Sequence, residues 1–203
     1  MYRSVENYFK ELTAQFETIP AERKEVLARI AAYIQSKHSN STPTRLMYVC
    51  THNSRRSHFG QVAAAVAAEH YKIPNFESYS GGTEATAFNS HAINALTRVG
   101  FKIETKDKNA NPKYDVFFGN ASKTVCFSKV YNHESNPRSG FAAIMTCTDA
   151  EQNCPFIPGV ELRIATPYED PKNSDDTALQ DKTYSDRFKQ IATEIMYTFS
   201  LVE

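Results

Sequence analysis

The sequence carries no excess charge of either sign: Lys and Arg together number 23, Asp and Glu 23, and the formal net charge is zero. That balance lacks the basic footprint by which nucleic acid or an anionic membrane surface is bound, so neither is an expected partner. Long apolar runs are absent too. The longest, around Val62 to Ala68, is far too short to span a bilayer. The opening segment MYRSVENYFK lacks the apolar stretch of a secretory signal, which makes a cytoplasmic location the expectation. Internal repeats and low-complexity segments are missing. Cysteine is sparse, at 4 in 203 residues. In a reducing compartment so few cysteines read as catalytic, redox-active or buried residues rather than as a disulfide framework.

What is present reads as an α/β chain. Val5, Tyr8, Phe9, Leu12 and Phe16 recur at helical spacing, as do Val26, Leu27, Ile30 and Ile34, with Pro20 in the first turn of the second helix. Residues 1–44 are therefore expected to form a helical hairpin and linker, packed on the main domain or serving as a dimerisation arm. Ser39 to Thr44 is the linker. Residues 45–203 are expected to form the main domain. There Leu46 to Val49 is a buried strand ending at Cys50, and Phe59, Val62, Ala63 and Val66 mark the helix that follows. Phe76–Ser80, Phe141–Thr146 and Val160–Ala165 are further strands, and Ala92–Val99 and Arg187–Phe199 are helices. Tyr114–Phe118 and Thr124–Phe127, around Gly119-Asn120, form an inserted β-hairpin. Strands alternating with helices imply a parallel sheet with helices on both faces.

The chemistry concentrates between the first strand and its helix, in Cys50-Thr51-His52-Asn53-Ser54-Arg55-Arg56-Ser57. A cysteine attacks as its thiolate. Successive N–H groups of a strand-to-helix loop can converge on an anion at the helix N-terminus, and the same field favours a thiolate. Arg56 can fold its planar guanidinium over two oxygens of a phosphate-like group. Ser57 can donate a hydrogen bond to the sulfur. A bare Cys-x5-Arg is common; its position between an apolar strand and an amphipathic helix is what marks it as catalytic.

The stretch Tyr48 to Ser57 resembles the signature of the low-molecular-weight protein tyrosine phosphatases and the related thioredoxin-coupled arsenate reductases. Tyr79-Ser80-Gly81-Gly82 resembles the strand end of that superfamily whose serine, here Ser80, supports the loop. Ala165 to Pro171 resembles its Asp-Pro loop, which makes Asp170 the match to the general acid. The resemblance spans roughly residues 46–101 and 141–172. It implies a four-stranded parallel sheet flanked by helices, low-molecular-weight phosphatase-like, carrying the N-terminal helical hairpin and inserted β-hairpin as additions. It also implies Thr51, His52, Asn53, Ser54, Arg55 and Ser57 as the oxyanion-binding residues around Cys50 and Arg56.

A second feature, Cys147-Thr-Asp-Ala-Glu-Gln-Asn-Cys154-Pro155, resembles the redox segment of the reductase branch. The resemblance implies a relay. Arsenate forms an adduct on Cys50, Cys147 attacks that sulfur and releases arsenite, Cys154 resolves the new disulfide, and thioredoxin reduces the last bond. Cys147 and Cys154 are seven residues apart. On a helix their Cα atoms would lie about 10.5 Å apart along the axis, and a disulfide needs about 4.4–6.8 Å. Thr148 and Asp149 can cap a helix start, so the reduced segment is expected to be partly helical. Cys126 matches nothing and reads as a small buried hydrophobe.

Departures from the pattern are informative. Arg55 stands where both families commonly carry a second cysteine and is expected to add positive charge at the pocket mouth. His52 replaces a usual glycine. Gln61 stands where some reductases place a glutamate that helps hold potassium, which argues against that ion; no metal and no bound cofactor are expected. The Asp-Pro loop continues as Lys172-Asn173, without the aromatic pair that walls a phosphotyrosine pocket. Three readings follow: an arsenate reductase-like enzyme with thioredoxin as external reductant, a phosphomonoesterase acting on a small anion or a phosphotyrosine, and a non-catalytic oxyanion-binding or redox-sensing module.

Overall fold

The apolar run that ends at Cys50 becomes the second strand of a fully parallel sheet. In the computed structural model of the chain, which describes residues 1–153 and 156–203, β1 (Thr44–Cys50) lies between β2 (Phe76–Gly82) and β6 (Phe141–Met145), with β7 (Val160–Ala165) at the far edge. The sheet order is β2-β1-β6-β7. Register runs Cys50 opposite Gly82 and Val49 opposite Met145, so the ends of three strands open on the same edge. β1 and β6 are buried almost end to end, as strands covered on both faces must be.

The helical cover of the two faces is unequal. Leu46, Tyr48, Ala142, Ile144 and Ile164 face a large core built by α3 (Arg56–His70), α4 (Ser90–Val99), α6 (Gln180–Ser200) and the two N-terminal helices. Met47, Val49, Ala143 and Met145 face a smaller cluster closed by Ala150, Ile157 and the partly buried Tyr79 and Tyr131. Only the short α5 (Thr148–Asn153) contributes helix there. The expected helices on both faces are thus present, but among the described residues five of the six α-helices lie on one side. α3 approaches β1 closely enough that a Cβ at Gly60 would come within 2.3 Å of the Tyr48 ring.

α1 (Arg3–Leu12) and α2 (Ala21–Ser39) share this large core. Val5, Phe9, Leu12, Leu27, Ile30 and Ile34 are buried in it with Phe59 and Phe188. The first helix is shorter than its apolar spacing predicts. It tightens into a 3₁₀ turn at Thr13–Thr18, and Phe16 packs edge-on against Tyr197, 5.5 Å between ring centroids. Pro20 sits just before α2 rather than inside its first turn. The connection to β1 is only residues 40–43, because Ser39 is still helical and Thr44 already pairs with Phe76.

The sequence predicts a two-stranded hairpin here, and the structure adds a third strand. β3 (Lys102–Glu104), which carries too few residues to show a periodicity, pairs with β4 (Tyr114–Phe117), and β4 with β5 (Lys123–Cys126), in an antiparallel sheet of order β3-β4-β5. Cys126 is fully buried, and burial pushes its thiol up to about 12. No helix among the described residues is long and apolar enough to cross a membrane.

Candidate functional site

Cys50 closes β1, and residues 51–55 form the loop that starts α3 at Arg56. The loop is fastened from outside through its carbonyls and side chains. Thr83 N–H donates to the Cys50 carbonyl at 3.2 Å and Glu84 N–H to that of Thr51 at 2.8 Å. The Ser128 hydroxyl donates to the His52 carbonyl at 2.8 Å, and the Ser54 hydroxyl to the Ala87 carbonyl at 2.7 Å. Among the described residues, no backbone N–H from His52 to Arg56 donates a hydrogen bond to the protein. These N–H groups are what an anion bound at the start of α3 would satisfy.

Asn53 sets the loop's curvature. Its φ of 44° lies in the left-handed region that asparagine tolerates. The side chain is fully buried. Its Oδ1 accepts from the Lys129 N–H at 2.9 Å, which fixes the amide so that Nδ2 donates to Ser57 Oγ at 2.8 Å. Ser57 Oγ lies 3.1 Å from Cys50 Sγ, and with Asn53 donating to it, the hydroxyl hydrogen is free to point at the sulfur. A relay of donors, Lys129 N–H to Asn53 to Ser57, thus ends on the thiol. Gly82 lies under this turn: a Cβ there would meet the Thr51 carbonyl at 2.6 Å and Asn53 N at 2.7 Å.

Arg56 is buried at 8% exposure and spans the loop and the segment after β7. Its two terminal nitrogens donate to the Tyr168 carbonyl at 2.9 Å and to Asp170 Oδ2 at 2.7 Å. Its buried Nε has no partner among the described residues, which leaves it as a donor for an oxyanion. Asp170 also accepts from Lys172 N–H at 3.1 Å, capping the 3₁₀ turn Pro171–Ser174. The proposed nucleophile loop and acid therefore meet through Arg56.

The other candidates fall unevenly. Cys147, buried, places its sulfur 3.5 Å from Thr51 Oγ1 and accepts from Ala150 N–H at 3.3 Å. It thus lies beside the Cys50 loop and at the head of α5, whose helical turn was expected from Thr148 and Asp149. Cys154 lies outside the described residues. His52 turns its ring outward toward Glu84, 3.6 Å away, which is how the loop accepts a side chain there. Ser80 is buried at the end of β2, but its hydroxyl has no partner among the described residues, and the loop's support comes from Ser128, Thr83 and Asn53 instead. Arg55 does not face outward with an open charge. Its Nε donates to the Tyr184 hydroxyl at 2.8 Å, and Asp175 lies 3.6 Å from its Nη2. Gln61 is buried, donating from Nε2 to Thr124 Oγ1 at 2.8 Å and to the Val125 carbonyl at 2.9 Å.

Behind the loop, α3 and β5 pack His58 and Lys129 out of solvent. Burial, with the nearby Lys129 charge, holds the His58 imidazole down to about 3, and its Nε2–H donates to the Phe127 carbonyl at 3.2 Å. Burial also pulls Lys129 down to about 8, with Lys113 adding to the effect and Cys126 opposing it. Sequence reasoning missed Tyr184, Asp175, Ser128 and Lys129. Only the proximity of distant segments reveals them, and none belongs to a recognisable local pattern.

No protein-family model matches this chain, and no curated protein matches its sequence. Solved structures do. An arsenate reductase in a phosphate-binding state superposes with a TM-score of 0.54 at 16% identity, over 79% of this chain and 99% of that one. The arsenate reductase of Archaeoglobus fulgidus gives 0.52 at 15% identity, over 76% and 98%. A low-molecular-weight protein tyrosine phosphatase from T. tengcongensis gives 0.51 at 13% identity, over 76% and 96%. With its parallel four-stranded sheet and the Cys50 loop at the strand ends, the chain has the fold that the low-molecular-weight protein tyrosine phosphatases and arsenate reductases share.

Proposed function

We propose that this chain is an arsenate reductase-like enzyme in which Cys50 attacks a tetrahedral oxyanion held by the loop N–H groups and Arg56. The observation that carries the reading is the set of unspent donors on the loop that follows one buried cysteine. The N–H groups of 52–56 and the buried Arg56 Nε have no acceptor among the described residues, and they belong to the loop that begins at Cys50, whose Sγ lies 3.1 Å from the Ser57 hydroxyl. Preorganised donors of this kind stabilise charge as it develops in a transition state. They equally suit a bound arsenate or phosphate.

In the reductase reading, the Cys50 thiolate forms an S–As bond with loss of water. Cys147 then attacks the Cys50 sulfur. The S–As bond pair stays on arsenic, arsenite leaves, and two thiols have supplied the two electrons as a Cys50–Cys147 disulfide. Cys154 attacks that disulfide at Cys147, freeing Cys50, and an external dithiol such as thioredoxin reduces the product. The burial of Cys147 against Thr51 supports the second step. A reducing, cytoplasmic setting belongs to this reading.

The second reading, phosphomonoester hydrolysis, is supported by the place of Asp170, which its contact with Arg56 puts at the Cys50 loop. Here Cys50 takes the phosphoryl group, Asp170 protonates the leaving oxygen, and water cleaves the thiophosphate. One assay separates the two. The protein is incubated with arsenate, thioredoxin, thioredoxin reductase and NADPH, and separately with an aryl phosphate. Arsenate-dependent NADPH oxidation that Cys147→Ser abolishes supports the relay. Aryl phosphate turnover alone selects the phosphatase. Both activities should vanish in Cys50→Ser, and Arg56→Lys, which loses the planar fork, should cost about 10²–10³ in rate. Turnover surviving Cys50→Ser, or no turnover of either substrate by the unaltered protein, overturns the enzyme reading.

A further inference from the structure

The segment that carries Asp170 is held at both of its ends by adjacent arginines of the Cys50 loop. At one end Arg56 takes Asp170. At the other, Asp175 closes the 3₁₀ turn Pro171–Ser174, its N–H donating to the Lys172 carbonyl at 2.9 Å. Tyr184, fully buried in α6, donates its hydroxyl to Asp175 Oδ1 at 2.7 Å and accepts from Arg55 Nε at 2.8 Å. Arg55 Nη2 lies 3.6 Å from Asp175 Oδ2, and Arg55 Nε lies 3.9 Å from Asp170 Oδ1. The Arg55 side chain is only 11% exposed. Tyr184 is itself wedged: its ring meets His91 edge-on at 5.5 Å, and Gln180 at the head of the same helix hydrogen-bonds His91 at 2.9 Å.

We infer that Arg55, Tyr184 and Asp175 form a clamp that positions Asp170 over the Cys50 loop, so that α6 sets the orientation of the acid. The three are positioning residues. The inference rests on the reading of Asp170 as the acid, and it assigns a task to the arginine that replaces the loop's usual second cysteine. Arg55 spends its donors on Asp175 and Tyr184, while Arg56, which holds Asp170 and the Tyr168 carbonyl, keeps its Nε for the oxyanion. The geometry explains why a residue next to the oxyanion seat is nevertheless nearly buried: its partner is the far end of the acid's own segment. Deleting the Tyr184 hydroxyl removes both the acceptor of Arg55 and the donor to Asp175 while keeping the ring that His91 packs against.

The test uses Tyr184→Phe and Asp175→Asn in the full chain, with two readouts. Hydrogen exchange of residues 170–175 should quicken about tenfold in both variants, because the segment loses one of its two anchors. Hydrolysis of a pair of aryl phosphates should fall selectively, by about tenfold for the poor leaving group and little for the good one, with KM nearly unchanged, since only the poor one needs a well-placed acid. A merely structural role for Tyr184 would slow both substrates alike. Unchanged exchange at 170–175, or equal loss with both leaving groups, overturns the clamp. If the unaltered protein turns over no aryl phosphate, the acid reading of Asp170 fails, and the exchange measurement alone then decides whether the clamp holds the segment.

Discussion

Cys50 and Cys147 emerge at the same edge of adjacent parallel strands, yet the segments that follow them are built differently. The loop after Cys50 is tied on every side: Thr83 and Glu84 from the end of β2, Ser128 from beyond β5, Ala87, and a fully buried Asn53 that is itself held by Lys129. The segment after Cys147 is a six-residue helix whose described attachments are fewer. Ala150 packs into the smaller core, Ala150 N–H meets the Cys147 sulfur, and Glu151 pairs with Arg163 at 2.7 Å. The difference fits the two tasks proposed for these cysteines. An oxyanion seat works when its donors need no rearrangement during reaction. A thiol that must form bonds with two successive partners has to travel.

The fixed side of that comparison breaks hardest at Asn53. Asn53→Ala removes two buried hydrogen bonds and leaves the Lys129 N–H without its acceptor. Chemical denaturation should report a loss of roughly 2–3 kcal/mol. Phosphate should no longer raise the midpoint, because the seat has lost its curvature. A variant that keeps both stability and phosphate stabilisation would show that the loop holds its shape without this amide.

The wall behind the loop gives the next effect, through pH. His58 is held down to about 3 when folded, by burial and by Lys129 beside it, against an ordinary value of 6.5. Above pH 6.5 it is neutral in both states and contributes nothing. As pH falls below 6.5 the unfolded chain takes up a proton that the folded one refuses, so stability is lost progressively down to about pH 3. In His58→Gln that loss disappears. The stability difference between the protein and the variant should narrow by about 2 kcal/mol from pH 7 to pH 5. Parallel pH profiles would mean that His58 accepts its proton without opening the wall.

The smallest effect belongs to the movable side. Once a Cys147–Cys154 disulfide is confirmed by mass spectrometry, the amides of 148–153 should exchange about tenfold faster than in the reduced protein, equivalent to roughly 1.4 kcal/mol of lost protection. The helix and the short Cα separation of a disulfide exclude one another. Equal protection in both forms would mean that the segment does not have to unwind, and the contrast between the two loops would lose its meaning.

Much of this was legible in the chain itself. The apolar run Leu46–Val49, the cysteine that ends it and the amphipathic helix after Arg56 are local patterns, and backbone hydrogen bonding leaves a buried run of that length few other shapes. β7 was read to its exact ends, Val160–Ala165, because its boundaries carry clear turn residues. α6 was read seven residues short, beginning at Arg187 instead of Gln180. Its first two turns are polar and only Tyr184 among them is buried, so periodicity has little to register there. β3 escaped because three residues define no period.

What the sequence by itself determined is most of the order of elements, the parallel sheet and the placing of Cys50 at a strand end with Arg56 at the start of the helix that follows. These follow from side-chain periodicity and turn chemistry acting over a few residues. Only the tertiary structure decided what each polar side chain spends its hydrogen bonds on. Arg55 and Arg56 are adjacent and chemically identical in the sequence. One is taken up by Tyr184 and Asp175, and the other holds the Tyr168 carbonyl and Asp170 and keeps a buried Nε without a partner among the described residues. A buried donor must find an acceptor wherever the fold supplies one, and a one-dimensional pattern does not contain that information.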